Sequence, residues 1–266
     1  MTSFFKTRLM VLSAFLLFAF SFTASAMNEK PAQEYYQIRV YHFATTEQET
    51  ILDNYLKDAY LPALHKAGIK NVGVFKVLTN DTAADKKIYV FFAASSLDKL
   101  TGLPQQFQKD AVYVAAAKEY MDAAYDHPSF ARMETILLKA FPLAPQMNLP
   151  ALKSDKKERV YELRSYEGAT EKLYEKKVEM FNKGGEIPLF KRLNFNGVFY
   201  ASVLSGSRMP NLMYMTTFEN MADRTTHWDN FKNDAEWKKL SGLAEYQHTV
   251  SKADIIFVRP TEYSDF

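Results

Sequence analysis

Apolar and polar positions alternate with a period of two from Tyr35 to Phe43, then recur at helical spacing from Thr46 to Ala67. This pattern predicts a strand followed by a helix. Two further stretches, Ile69 to Leu78 and Lys87 to Ala94, flank the Asn80-Asp81 turn region and predict a pair of strands. A helical region up to Tyr125 and a strand from Met133 to Ala140 complete a β-α-β-β-α-β order. The order then returns. Strand Arg159 to Tyr166 precedes helix Thr170 to Leu193, strands Phe195 to Leu204 and Leu212 to Phe218, helices between Met221 and Tyr246, and strand Thr249 to Val258.

The residues repeat along with the pattern. Tyr36-Gln37-Ile38-Arg39-Val40-Tyr41 is answered by Tyr161-Glu162-Leu163-Arg164-Ser165-Tyr166, and Leu61-Pro62 by Ile187-Pro188. Gly73-Val74-Phe75 is answered by Gly197-Val198-Phe199, all at an offset of about 125. The chain therefore reads as α+β, with two tandem ferredoxin-like domains at 27–141 and 158–266 and a Pro-rich, charged linker at 142–157. Each such unit covers one sheet face with helices and leaves the other bare, so antiparallel sheets packed face to face are expected. Pairing within one chain and pairing between two chains both satisfy that requirement. The first copy carries roughly 17 extra residues around Ala111 to Ala124, whose Ala-rich composition favours a lengthened surface helix over a lid or docking element.

Residues 1–26 change the picture of compartment. Lys6 and Arg8 precede an uncharged apolar run from Leu9 to Phe20 and an Ala24-Ser25-Ala26 site, the grammar of a cleaved signal peptide. The run falls short of the ~18 residues of a membrane span, so a periplasmic or secreted protein without stable membrane insertion is expected. The chain has 33 Lys and Arg against 31 Asp and Glu. Loss of Lys6 and Arg8 balances them, and with basic and acidic residues interleaved no nucleic-acid partner is expected. The absence of cysteine excludes disulfides and thiolate metal sites. The five histidines show no ligand spacing, so neither metal nor cofactor is expected.

Candidate chemistry lies on the first strand of each copy, where alternation sorts side chains onto two faces. Glu162, Arg164 and Tyr166 share one face, with Arg39 and Tyr41 as counterparts in the first copy. Placing the more apolar face under the helices turns this polar set into the space between the sheets, where it would offer guanidinium and phenol donors to a small organic ligand. The competing reading is a self-satisfied network around Glu162 and Arg164 that fixes sheet pairing. Arg208, in the Gly206 to Asn211 hairpin, is either an anion contact over the barrel mouth or a solvent-facing turn residue. Trp228, Phe231 and Trp237 read as core, and Asp234 as a helix cap.

The run Tyr161 to Tyr166, Leu189-Phe190-Lys191-Arg192-Leu193 leading into Gly197-Val198-Phe199-Tyr200, the Gly206 to Leu212 hairpin, and Trp228-x-x-Phe231-x-x-Asp234-x-Glu236-Trp237-Lys238 together resemble the NIPSNAP family. The first copy is a divergent version of the same pattern. The resemblance implies a dimeric α/β-barrel fold and no particular reaction, and related barrels include cofactor-free monooxygenases and haem proteins. Three roles stay open at this point: a binder of a small organic ligand between the sheets, a cofactor-independent oxygenase or isomerase, and a protein-interaction module. Homo-oligomerisation is compatible with each.

Overall fold

The computed structural model describes residues 31–266, so the signal-peptide expectation for 1–26 lies outside the described residues. The first half runs β1 (Tyr35–Phe43), α1 (Thr46–Tyr55), α2 (Leu61–Lys66), β2 (Val72–Val77), β3 (Lys86–Ala94), α3 (Leu97–Gln108), α4 (Ala111–Ala116), α5 (Lys118–Met121) and β4 (Arg132–Ala140). The second runs β5 (Val160–Glu167), α6 (Glu171–Phe181), α7 (Glu186–Arg192), β6 (Phe199–Ser205), β7 (Asn211–Phe218), α8 (Met221–Asn233), α9 (Ala235–Ser241) and β8 (Lys252–Pro260). Side-chain caps start the helices where the sequence supplies an oxygen. Thr45 and Gln48 form a reciprocal capping box on α1, and Asp234 accepts from the backbone of Glu236 and Trp237 at the start of α9, as expected.

Two long helices expected from spacing are interrupted. The first stays continuous but passes through a π-helical turn, Leu56–Tyr60, between α1 and α2. The second is cut at Lys183-Gly184-Gly185, where Gly185 takes a φ of +93° and a Cβ on Gly184 would sit 2.6 Å from the Met180 carbonyl oxygen. The Ala-rich insertion is also not one helix; it forms two short helices, α4 and α5.

The eight strands of the described residues pair antiparallel into one closed barrel, in the order β1-β3-β2-β8-β5-β7-β6-β4. Each half supplies four adjacent strands. Closure comes from two seams between the halves. At one, Phe75, Lys76 and Val77 oppose Pro260, Arg259 and Val258; at the other, Leu138, Lys139 and Ala140 oppose Val203, Ser202 and Ala201 after a bulge at Leu137. The barrel thus closes within one chain. Closure removes every open sheet edge, which is otherwise a template for pairing with other chains.

An eight-stranded barrel has an interior just wide enough for side chains to fill it. Here Tyr36, Ile38 and Val40 from β1 meet Tyr161 and Leu163 from β5, with Phe75, Phe91, Phe199, Met215 and Val258, in one buried cluster drawn from both halves. Phe91 stacks on Phe199 across the halves with ring centroids 4.6 Å apart. Two further clusters lie outside the barrel, one between each half's sheet and its helices. This reverses the expected orientation of β1 and β5. The apolar set points inward, while Arg39, Tyr41, Glu162, Arg164 and Tyr166 point outward under the helices. The physical reason is closure: where side chains from eight strands pack the interior, little room is left to hydrate a charge.

Both tryptophans, Trp228 and Trp237, lie in the second half and report on it alone. Phe91→Ala, in the first half, should lower stability by about 3–5 kcal/mol. The midpoint of the urea transition followed by tryptophan fluorescence should fall with it. An unmoved tryptophan transition would mean that the halves do not share a core.

Candidate functional site

The outward faces of β1 and β5 carry equivalent residues in different surroundings. Under α8, Glu162 is fully buried and saturated. It accepts from Arg164, from Arg224 Nε at 2.7 Å and Nη2 at 3.1 Å, and from Trp228 Nε1 at 2.9 Å. The Arg164 guanidinium lies 3.7 Å from the centre of the Trp228 ring and donates to the Tyr166 hydroxyl at 2.6 Å, which in turn meets the Tyr214 hydroxyl at 2.9 Å. Glu162, Arg164 and Tyr166 are therefore brought together as a closed network, with Trp228 and Phe231 in the core beside it. Arg224 was not foreseen, since its residue type on a polar helix carries no signal of burial.

Under α3, α4 and α5, the corresponding set is open. Gln37 stands where the second half has Glu162, so Arg39 has no carboxylate to match that of Arg164. Its Nη1 donates to the Tyr41 hydroxyl at 3.3 Å and its guanidinium lies 5.0 Å from the centre of the Tyr60 ring. Arg39 Nε and Gln37 Nε2 are both buried without a hydrogen-bond partner. They face a cavity of about 100 Å³, walled by Tyr55, Tyr60, Leu103, Phe107 and Tyr113. The π-helical turn sets Tyr55 and Tyr60 at its two ends, both directed to this space. The insertion closes it from above: Tyr113 on α4 meets the Tyr55 hydroxyl at 2.9 Å, and Tyr120 on α5 stacks on the Tyr55 ring at 3.8 Å. The insertion lies on the surface, as expected, but as two short helices that also cover this space.

Electrostatically this chamber is a fixed cation surrounded by neutral donors. Burial pushes the Tyr55 hydroxyl far above the ordinary tyrosine range, and does the same to Tyr60 even though neighbouring Arg39 opposes it. Guanidinium does not deprotonate in proteins. The charge of the chamber is therefore constant across the physiological pH range.

A second cavity, about 370 Å³, occupies one end of the barrel. Arg208 sits here, apart from the other candidates, half-exposed and ion-paired with Asp254. Deeper in, buried His42 holds Asp85 Oδ1 through Nδ1 and Glu134 Oε1 through Nε2, both at 2.8 Å, and Arg132 lies 2.8 Å from the same Glu134 oxygen. Burial, with nearby Glu134, pushes the Tyr89 hydroxyl up to about 12. The charges at this end pair with one another. Among the described residues, no group of three or more His, Cys, Asp or Glu is placed to hold a metal ion.

Glu162→Gln should cost about 3–5 kcal/mol, because it leaves two guanidinium groups around a neutral amide in a buried site. Arg208→Ala, at a solvent-exposed pair, should cost about 0–1 kcal/mol. Chemical denaturation of the two variants side by side checks the contrast, and equal losses would contradict the assignment of Glu162 as the node.

No curated protein matches the chain. Solved structures do. A candidate monooxygenase from Fusobacterium nucleatum aligns over 86% of this chain and 93% of its own, with a TM-score of 0.57 and 8% identity. A candidate monooxygenase from Lactobacillus acidophilus aligns over 86% and 94%, with a TM-score of 0.55 and 10% identity. A NIPSNAP family protein from Agrobacterium tumefaciens aligns over 45% of this chain and 98% of its own, with a TM-score of 0.37 and 15% identity. At such identities the first two establish a shared α+β barrel fold of antiparallel strands and nothing of the chemistry. The NIPSNAP family model matches residues 161–265, the stretch that contains β5, the Glu162 network and β8. The second half of this chain is thus similar to NIPSNAP domains over residues 161–265.

Proposed function

We propose that this protein binds a small organic molecule, and that it does so in the tyrosine-walled chamber of the first half rather than between the sheets. On this reading the two halves are tandem ferredoxin-like units that have divided their labour. The second keeps the closed Glu162 network and is scaffold; the first has opened the equivalent position. The observation that carries the reading is the buried, unpartnered Arg39 Nε beside Gln37, on the wall of this cavity. Buried polar groups in folded proteins are almost always satisfied, and exceptions point to function or to a missing partner.

The chamber favours binding over proton-transfer chemistry. A general base works best with a pKa near the operating pH, and the described residues lining this space are amides, apolar groups, a permanent cation and tyrosines whose hydroxyls burial holds protonated. An oxygenase or isomerase here would require the substrate to arrive already deprotonated. The interaction-module reading draws on a separate observation: Val112 and Met121 on α4 and α5 are 74% and 57% exposed, and Tyr125 beyond them is almost wholly exposed. Large apolar groups exposed beside a cavity suit the rim of a ligand entrance as well as a docking face.

Export belongs to the same proposal. N-terminal sequencing of the protein from its native host should begin at Met27, and a chain that starts at Met1 would remove the periplasmic or secreted assignment.

Binding is checked by saturation-transfer NMR against a panel of monocyclic and short-chain acids, amides and alcohols. Leu103→Trp fills the chamber from its wall, so contacts seen with the natural chain should vanish in that variant. Their persistence would locate binding elsewhere.

A further inference from the structure

The internal duplication supplies its own control for what the chamber lacks. At each copy of the first strand an arginine lies on the outward face, donates to the tyrosine two residues on, and rests against an aromatic ring: Arg164 with Tyr166 and Trp228, Arg39 with Tyr41 and Tyr60. In the second half the residue two positions earlier is Glu162, whose carboxylate occupies the space in front of the guanidinium. In the first half that position is Gln37, which is 5% exposed and makes no ion pair, and the space in front of Arg39 is the chamber itself. We infer that the chamber takes a small organic monocarboxylate, whose carboxylate stands where the Glu162 carboxylate stands in the other half. This rests on the reading of the chamber as the binding site and adds the class of ligand.

Three features converge on that class. An arginine fork matches a carboxylate better than any neutral acceptor. The other polar groups at the site, Gln37 Nε2 and the hydroxyls of Tyr55 and Tyr60, can all donate, and none of the described lining residues is acidic. A dry apolar cavity of ~150 Å³ admits benzene, so a space of about 100 Å³ suits a carboxylate with a few carbons or part of a ring. Anything longer must extend past Gln108 and Met121 at the rim. Because the groups in the chamber do not titrate near neutrality, affinity should be flat from about pH 6 to 9, above the ordinary carboxylate range.

The test uses benzoate and butyrate with their neutral isosteres benzamide and butyramide, titrated by NMR into the exported chain and into two variants. With the natural chain each acid should bind at least tenfold more tightly than its amide. Gln37→Glu should abolish acid binding while raising the melting temperature, since the new carboxylate satisfies Arg39 from within. Arg39→Met, which replaces the unpaired cation by an apolar group of similar reach, should stay folded and bind acid and amide alike. Equal affinity of acid and amide for the natural chain overturns the ligand class and leaves the chamber as a binding site. Undiminished acid binding by Gln37→Glu and Arg39→Met also overturns it. If none of the four compounds binds, the ligand class and the reading beneath it both fall.

Discussion

Everything distinctive in this molecule follows from the two seams that join its halves, β2 against β8 and β4 against β6. A four-stranded sheet with helices on one face has two open edges and one bare face, and each is costly in water. Joining two such sheets edge to edge removes all of these at once. The former bare faces become the interior of a closed barrel, filled by Tyr36, Phe75, Phe91, Tyr161 and Phe199. That interior admits no charge in its middle. Arg39, Tyr41, Glu162, Arg164 and Tyr166 consequently lie on the other face, beneath the helices.

The internal repeat of motifs made the fold legible in the sequence. Period-two runs located the strands to within a few residues, and the offset of about 125 between copies placed them in equivalent roles. Local interruptions were less visible. The π-helical turn at Leu56–Tyr60 leaves apolar spacing almost unchanged, and Gly184-Gly185 breaks a helix through backbone conformation rather than hydrophobic pattern. Facing was misread for a deeper reason. Alternation separates two sets of side chains but does not say which set faces a shared interior. Here each set is mixed, with Tyr161 and Ser165 in one and Tyr166 in the other. Only closure of the barrel, a property of the whole chain, decides between them.

The candidate residues illustrate how far a repeat can be read. Arg39 and Arg164 occupy equivalent positions and keep equivalent tyrosines, so likeness alone suggested a common role. The informative difference was Gln37 against Glu162, a single substitution within the aligned strands. Its meaning depended on burial. On a surface the exchange would be nearly silent, whereas under helices it removes the counter-charge of a guanidinium that is largely withdrawn from water. Tyr55, Tyr60 and Tyr113 carried no signal of this kind, because buried tyrosines are ordinary core residues until a cavity lies between them.

The contrast between the halves also bears on how freely each can change. The second half holds one carboxylate among Arg164, Arg224 and Trp228, and most changes there would leave a buried charge unpaired. Such a site resists substitution for reasons of stability alone. With Gln37 at the position equivalent to Glu162, Arg39 is imperfectly satisfied, and replacing it by an apolar group would be neutral or stabilising. Its presence is therefore poorly explained by folding. The added α4 and α5, which place Tyr113 and Tyr120 over Tyr55, cover the exposed side of the same site. The unpaired cation is thus kept beneath an inserted cover, and it is a cost to the empty protein that a bound acceptor would offset.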